Sequence, residues 1–192
     1  MADLALKPMT REEFLAWDER QPDRYEFIGG QIYAMTGGTR DHEVIARNLL
    51  GALERRLKGT RCQVFGSGLK VEIGGNFLYP DATVTCEPMG RKEQFIRQAR
   101  AIVEVLSPST TARDRGEKWM LDQSLRSLEY YLLLSQDEPI AELFARGERA
   151  WSYQRFIGIE ARVPFGTLGI ELTLAEIYAG ALQDDPGAEQ AS

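Results

Sequence analysis

Ala101-Ile102-Val103-Glu104-Val105-Leu106, followed by Ser107-Pro108-Ser109-Thr110, has the pattern of a buried strand and the turn that leaves it. Every position but Glu104 is apolar, so neither face of the strand is prepared for water, as in a sheet covered on both sides. From about Thr111 to Ser124 the spacing becomes helical, and strands are expected again at 129–135, 139–146 and 150–156. A strand buried on both faces that feeds a helix and then more strands predicts an α/β fold, a mixed central sheet flanked by helices.

Upstream, Thr10 and Glu13 have capping-box spacing, so a helix is expected to start there, with Pro22 beyond its end. Tyr25-Glu26-Phe27-Ile28 and Gln31-Ile32-Tyr33-Ala34-Met35 flank Gly29-Gly30, a pair suited to the positive φ of a tight hairpin. A helix follows over about 41–58, with Gly59 placed to end it. Two long strands, 63–73 and 77–86, are expected around Gly74-Gly75-Asn76, and 87–98 reads as a loop. Thr173 and Glu176 repeat the capping-box spacing for a last short helix. The reading is one domain over 10–182, with an N-terminal tail at 1–9 and a flexible C-terminal tail at 183–192.

The 192 residues suffice for one substantial core, and 43% hydrophobic with 27% charged residues is ordinary for a globular chain. No apolar run approaches the ~20 residues of a membrane span, and Met1-Ala2-Asp3-Leu4 lacks the pattern of a secretory signal. Cys62 and Cys86 lie 24 apart without CxxC spacing, so neither a disulfide nor a zinc site is expected and a cytoplasmic setting is the default. A net charge of −6 and a pI of about 5.0 weigh against tight nonspecific grip on DNA, which calls for a basic footprint.

Glu104 carries the chemistry. A carboxylate inside an apolar strand must be neutralised, hydrogen-bonded or metal-bound, unless it stands at a strand end in solvent. Asp81, in Tyr79-Pro80-Asp81, lies in another strand-like segment, and Pro80 suggests an edge or a bulge. Asp81 either caps a local turn or meets Glu104 from a neighbouring strand. Two such carboxylates repel, and a divalent cation turns that repulsion into affinity; oxygen donors favour Mg²⁺, with Mn²⁺ as an alternative, over zinc. Glu26 is a third carboxylate, either an exposed strand residue or a group that holds a metal-bound water. Lys118, on the helix after the Glu104 strand, is preferred over Lys70 as the cation that positions a nucleophile, and either could be a solvated surface group. His42 reads first as a capping or core histidine, and second as a phosphate or proton contact of the site. No GxSxG elbow, P-loop or dinucleotide fingerprint is present.

Tyr25-Glu26 with Gly30, Tyr79-Pro80-Asp81, the string Val103-Glu104-Val105-Leu106-Ser107-Pro108-Ser109-Thr110, Asp114 with Lys118, and Glu129-Tyr130-Tyr131 together resemble the Uma-type restriction endonucleases of the PD-(D/E)xK nuclease superfamily. The resemblance covers about residues 8–180. It implies the restriction-endonuclease-like fold, a Mg²⁺-dependent endonuclease acting on nucleic acid (DNA above all), and a homodimer. Asp81 and Glu104 match the metal-binding carboxylates, and Glu26 the acidic residue of the N-terminal motif. The superfamily's lysine belongs two residues after the glutamate, where this chain has Leu106, so the resemblance implies a lysine displaced to Lys118. The catalytic set expected is therefore Glu26, Asp81, Glu104 and Lys118. The rival readings are a noncatalytic nucleic-acid or protein binding module on the same fold, and a structural protein with a solvated acidic pocket.

Overall fold

The computed structural model describes residues 8–35, 37–108 and 111–183. Most of both expected tails lies outside the described residues. Met9, the last residue of the expected N-terminal tail, donates its backbone N–H to the Gly30 carbonyl at 3.0 Å and packs against an aromatic cluster.

Helix α1 (Arg11–Asp18) opens with the capping box: Glu13 N–H donates to Thr10 Oγ1 at 3.2 Å, and Thr10 N–H to Glu13 Oε2 at 2.8 Å. Strands β1 (Tyr25–Ile28) and β2 (Gln31–Ala34) form a hairpin turned at Gly29 and Gly30, whose φ angles of 58° and 85° lie in the left-handed region. Helix α2 (Arg40–Leu57) is N-capped by Thr39 and buries Ile45, Leu49, Ala52, Leu53 and Leu57 along one stripe. Next come β3 (Gln63–Gly66), β4 (Lys70–Ile73), β5 (Asn76–Leu78), β6 (Ala82–Thr85), the short β7 (Phe95–Ile96) and β8 (Ala101–Leu106). The helical segment after β8 has three parts: α3 (Thr111–Arg113), a π-turn (Asp114–Lys118) and α4 (Trp119–Ser124). Strands β9 (Tyr130–Ser135), β10 (Ile140–Arg146) and β11 (Trp151–Ile157) form a meander. A hairpin of β12 (Arg162–Phe165) and β13 (Ile170–Thr173) leads into α5 (Leu174–Ile177), which carries the second capping box.

A six-stranded sheet, in the order β11-β10-β9-β8-β6-β3, is the centre of the molecule. It is mixed: β8 and β9 are parallel and the other neighbours antiparallel. Parallel neighbours need a crossover, and the helical segment α3–α4 supplies it. One face carries Val103, Val105, Leu132 and Leu134 against α2. The other carries Ile102, Leu106, Tyr131 and Leu133 against Leu78, Val71 and Trp119. All six residues of β8 are therefore buried. Alternation places Glu104 on the second face, with Ile102 and Leu106. A five-stranded sheet, β2-β1-β5-β4-β7, lies on that side.

Four expectations are corrected. The two long strands around Gly74-Gly75 are each broken, so β4 and β5 join one sheet while β3 and β6 join the other. Tyr79-Pro80-Asp81 is the joint between the sheets; Pro80, which has no N–H for a ladder, falls outside both strands. The 87–98 loop contains β7, and the helix over 111–124 contains the π-turn. Cys62 and Cys86 form a disulfide, because the β3–β6 register that pairs Gln63 with Thr85 sets the two cysteines opposite one another. A cytoplasmic expectation resting on unpaired cysteines loses that support. No helix among the described residues is long and apolar enough to cross a membrane.

Candidate active site

Three elements and one joint meet beside β8. Pairing of Ala82 with Val103 brings Asp81, one residue earlier, level with Glu104. Asp81 Oδ2 accepts the Val105 N–H at 2.7 Å, which fixes its carboxylate at the end of the sheet. His42, in the first turn of α2, approaches the same oxygen with Nε2 at 3.4 Å. Hydrogen bonding to Asp81 raises the imidazole pKa against the opposing effect of burial.

Lys118 stands among carboxylates. Its ammonium lies 2.9 Å from Glu26 Oε1, 3.2 Å from Glu104 Oε1 and 3.1 Å from Asp114 Oδ1. Lys118 and Glu104 are each 4% exposed, so these contacts are little screened by water. Burial acts to lower the Lys118 pKa, but Glu104, Glu26 and Asp114 outweigh it and hold the ammonium well above its ordinary value. Burial pushes Glu104 well above the ordinary glutamate value; Lys118 opposes this, while Asp114, Asp81 and Glu26 add to it. Glu26 Oε1 also accepts the Tyr79 N–H at 3.1 Å, so the β1 carboxylate ties the Tyr79-Pro80-Asp81 joint to the lysine.

Glu26, Asp81, Glu104 and Lys118 all line one cavity of about 410 Å³. Lys70 lies elsewhere. It is paired with Asp18, and its ammonium sits 5.6 and 5.5 Å from the ring centroids of Phe14 and Phe77. His42, read first as a capping or core residue, lines the cavity beside Asp81.

Asp114, quoted above only for the resemblance, and Asp122, not named there, also belong to this cluster. Asp114 is buried against Lys118, and Asp122 is buried one turn beyond it. The signal was the run Asp114, Lys118, Asp122, acid–base–acid at steps of four, which places all three on one helical face.

The donor set fits an oxygen-liganded divalent cation. Four carboxylates, Glu26, Asp81, Glu104 and Asp114, line the cavity, and the two cations Lys118 and Arg113 do not balance them. Among the described residues no three His, Cys, Asp or Glu side chains form a ready metal cage. Mg²⁺ needs no such cage, since it keeps several waters and is bound through one or two carboxylates.

Comparison with known proteins gives three findings. The model of the Uma2 family, described as "Putative restriction endonuclease", matches residues 11–175. Two Synechocystis proteins are similar along most of their length. "Uncharacterized protein slr1290" is 37% identical over 176 residues, covering 90% of this chain and 92% of the relative. "Uncharacterized protein sll1609" is 26% identical over 170 residues, covering 85% and 96%. Among solved structures, a "putative nuclease belonging to DUF820" from Anabaena variabilis shares the fold with a TM-score of 0.73 at 18% identity, over 89% of this chain and 98% of that one.

Proposed function

The chain belongs to the Uma2 family, and from that premise we propose that it is a Mg²⁺-dependent endonuclease that hydrolyses phosphodiester bonds in DNA. The observation that carries the reading is the convergence of Asp81, Glu104 and Lys118 on one cavity, with the ammonium 3.2 Å from Glu104. Lys118 reaches from the following helical segment to within 3.2 Å of Glu104, which supports reading it as the counterpart of the lysine missing at Leu106.

Asp81 and Glu104 would hold the ion, which when bound supplies Lewis-acid stabilisation of phosphoryl charge and lowers the pKa of bound water. Lys118 is kept protonated by Glu26, Glu104 and Asp114, which already engage its ammonium, so it would reach a water or a phosphoryl oxygen by exchanging one of these contacts. Glu26 positions Lys118 through Oε1, which also accepts the Tyr79 N–H, and its second carboxylate oxygen is left to accept from a metal-bound water. His42 steadies Asp81, whose Oδ2 it shares with the Val105 N–H.

The test is cleavage of plasmid and linear duplex DNA with Mg²⁺, Mn²⁺ or EDTA, by the parent and by Asp81→Ala and Lys118→Met. Cleavage is expected only with a divalent ion, with a loss of at least about 100-fold in each variant, the scale of removing one transition-state contact. Thermal melts establish that the variants fold. Equal cleavage by Asp81→Ala and the parent would overturn the proposal.

A further inference from the structure

The cavity wall holds a second cation whose partner is not a carboxylate. Lys118 is ringed by Glu26, Glu104 and Asp114, and His42 lies against Asp81. Arg113, at the end of α3, also lines the cavity, yet no carboxylate pairs with it among the described residues. Its guanidinium carbon instead stands 4.0 Å from the centroid of the Tyr33 ring. Stacking occupies the face of a guanidinium and leaves its in-plane N–H donors available, in the fork that matches phosphate oxygens.

The support for this stack is built into the hairpin. Tyr33 on β2 is the direct cross-strand partner of Glu26 on β1. Cross-strand partners share a face, so one face of the hairpin offers Glu26 to Lys118 and Tyr33 to Arg113. Tyr33 Oη donates to Gln31 Oε1 at 2.9 Å, which anchors the ring. Arg113 directly precedes Asp114, the first residue of the π-turn that carries Lys118. Arg113 is half-buried at the cavity wall, whereas Glu104 and Lys118 are buried at its floor.

We propose that Arg113, held on Tyr33, forms a phosphate-binding subsite at the cavity mouth. It takes a backbone phosphate of the bound DNA strand next to the phosphodiester that lies over Asp81, Glu104 and Lys118. The inference rests on the nuclease reading and deepens it. Arg113 is a positioning residue, since it grips a phosphate that does not react. The competing account is an arginine packed on Tyr33 for its own stability, which would leave DNA binding unchanged.

The experiment compares the parent with Arg113→Ala, Arg113→Lys and Tyr33→Leu. Binding of a fluorescein-labelled duplex is read by anisotropy with Ca²⁺ in place of Mg²⁺, from about 50 to 200 mM salt. Cleavage kinetics are read with Mg²⁺. Arg113→Ala is expected to raise Kd and KM about tenfold, the size of one charge-assisted contact, with kcat within about twofold. Its slope of log affinity against log salt should be shallower by about 0.9, one phosphate contact. Arg113→Lys should keep the salt slope but recover only part of the affinity, and Tyr33→Leu should fall between parent and Arg113→Ala. Arg113→Ala with the parent's Kd and salt slope overturns the subsite, as does a loss confined to kcat. A parent that binds DNA through Arg113 without cleaving it removes the nuclease reading and leaves the subsite standing. A parent that does not bind the duplex overturns both.

Discussion

At the scale of single residues, Asp122 is the group whose chemistry departs furthest from its appearance in the sequence. It is 0% exposed, and neither carboxylate oxygen has a hydrogen-bond partner among the described residues. Burial pushes its carboxyl up to about 8; Lys118 opposes the shift, and Glu26 and Asp114 add to it. Below that value the folded protein keeps a proton that the unfolded chain, at the ordinary aspartate value, has released. The folded state thus binds more protons between about pH 4 and 8, so stability falls as pH rises through this window, by up to about 1.4 kcal/mol per pH unit. Asp122→Asn mimics the protonated form at every pH. It is expected to melt above the parent at pH 8 by about 10 °C or more, with the gap narrowing toward pH 5. Parallel melting curves from pH 5 to 8 would show that Asp122 is not the titrating group. Glu104 was legible because a charge within an apolar strand needs a partner unless it stands at a strand end in solvent. Asp122 was not, because an acid four residues from a lysine on a helix usually marks a solvated pair. Only the packing of α4 onto the core through its own Trp119 and Leu121 takes it out of water.

At the scale of elements, the capped helices and the Gly29-Gly30 hairpin were legible because their signals are local: a hydroxyl three residues from a glutamate, two glycines between apolar runs. The splitting of the long hairpin was not, since the strands diverge only when a second sheet and a core on each side compete for them. The disulfide was hidden for the same reason, because a spacing of 24 says nothing until the β3–β6 register is known. The π-turn is the element most closely tied to the site, and such turns recur at functional positions. Trp119, just beyond it, is fixed by rings of Tyr131 at 5.1 Å, Phe144 at 4.4 Å and Trp151 at 5.0 Å. Deleting Gly116 would restore α-helical hydrogen bonding and turn Asp114 and Arg113 by about 100° relative to this anchored end. Gly116→Ala keeps the chain length, and a Cβ there meets nothing within 4 Å. The alanine variant is expected to gain roughly 0.5–1 kcal/mol in a denaturant melt and keep its cleavage rate. The deletion is expected to fold but lose most activity. Equal activity in the two variants would show that the extra residue of the turn does not position the site.

At the scale of the whole molecule, strand–helix order was enough to read an α/β fold with a mixed sheet, and the fold shared with the Anabaena variabilis structure agrees. What composition could not convey is where the negative charge sits. The net charge is −6, and four carboxylates face the cavity that the proposed substrate must enter. Without a bound cation, a phosphodiester approaching Asp81 and Glu104 meets like charge in a partly desolvated cleft, where repulsion is stronger than in water. Lys118 and Arg113 oppose it, but Lys118 is already shared among three carboxylates. DNA affinity should therefore depend on the divalent ion even where no cleavage occurs. Duplex binding at about 100 mM salt is expected to tighten at least tenfold when EDTA is replaced by Ca²⁺, equivalent to about 1.4 kcal/mol. The gain should vanish in Asp81→Ala, which removes a proposed ligand, and persist in Arg113→Ala, which lowers affinity in both conditions. If the parent binds DNA equally well in EDTA and in Ca²⁺, the acidic cavity is not where the phosphate lies. The duplex would then have to rest on a surface away from Asp81 and Glu104.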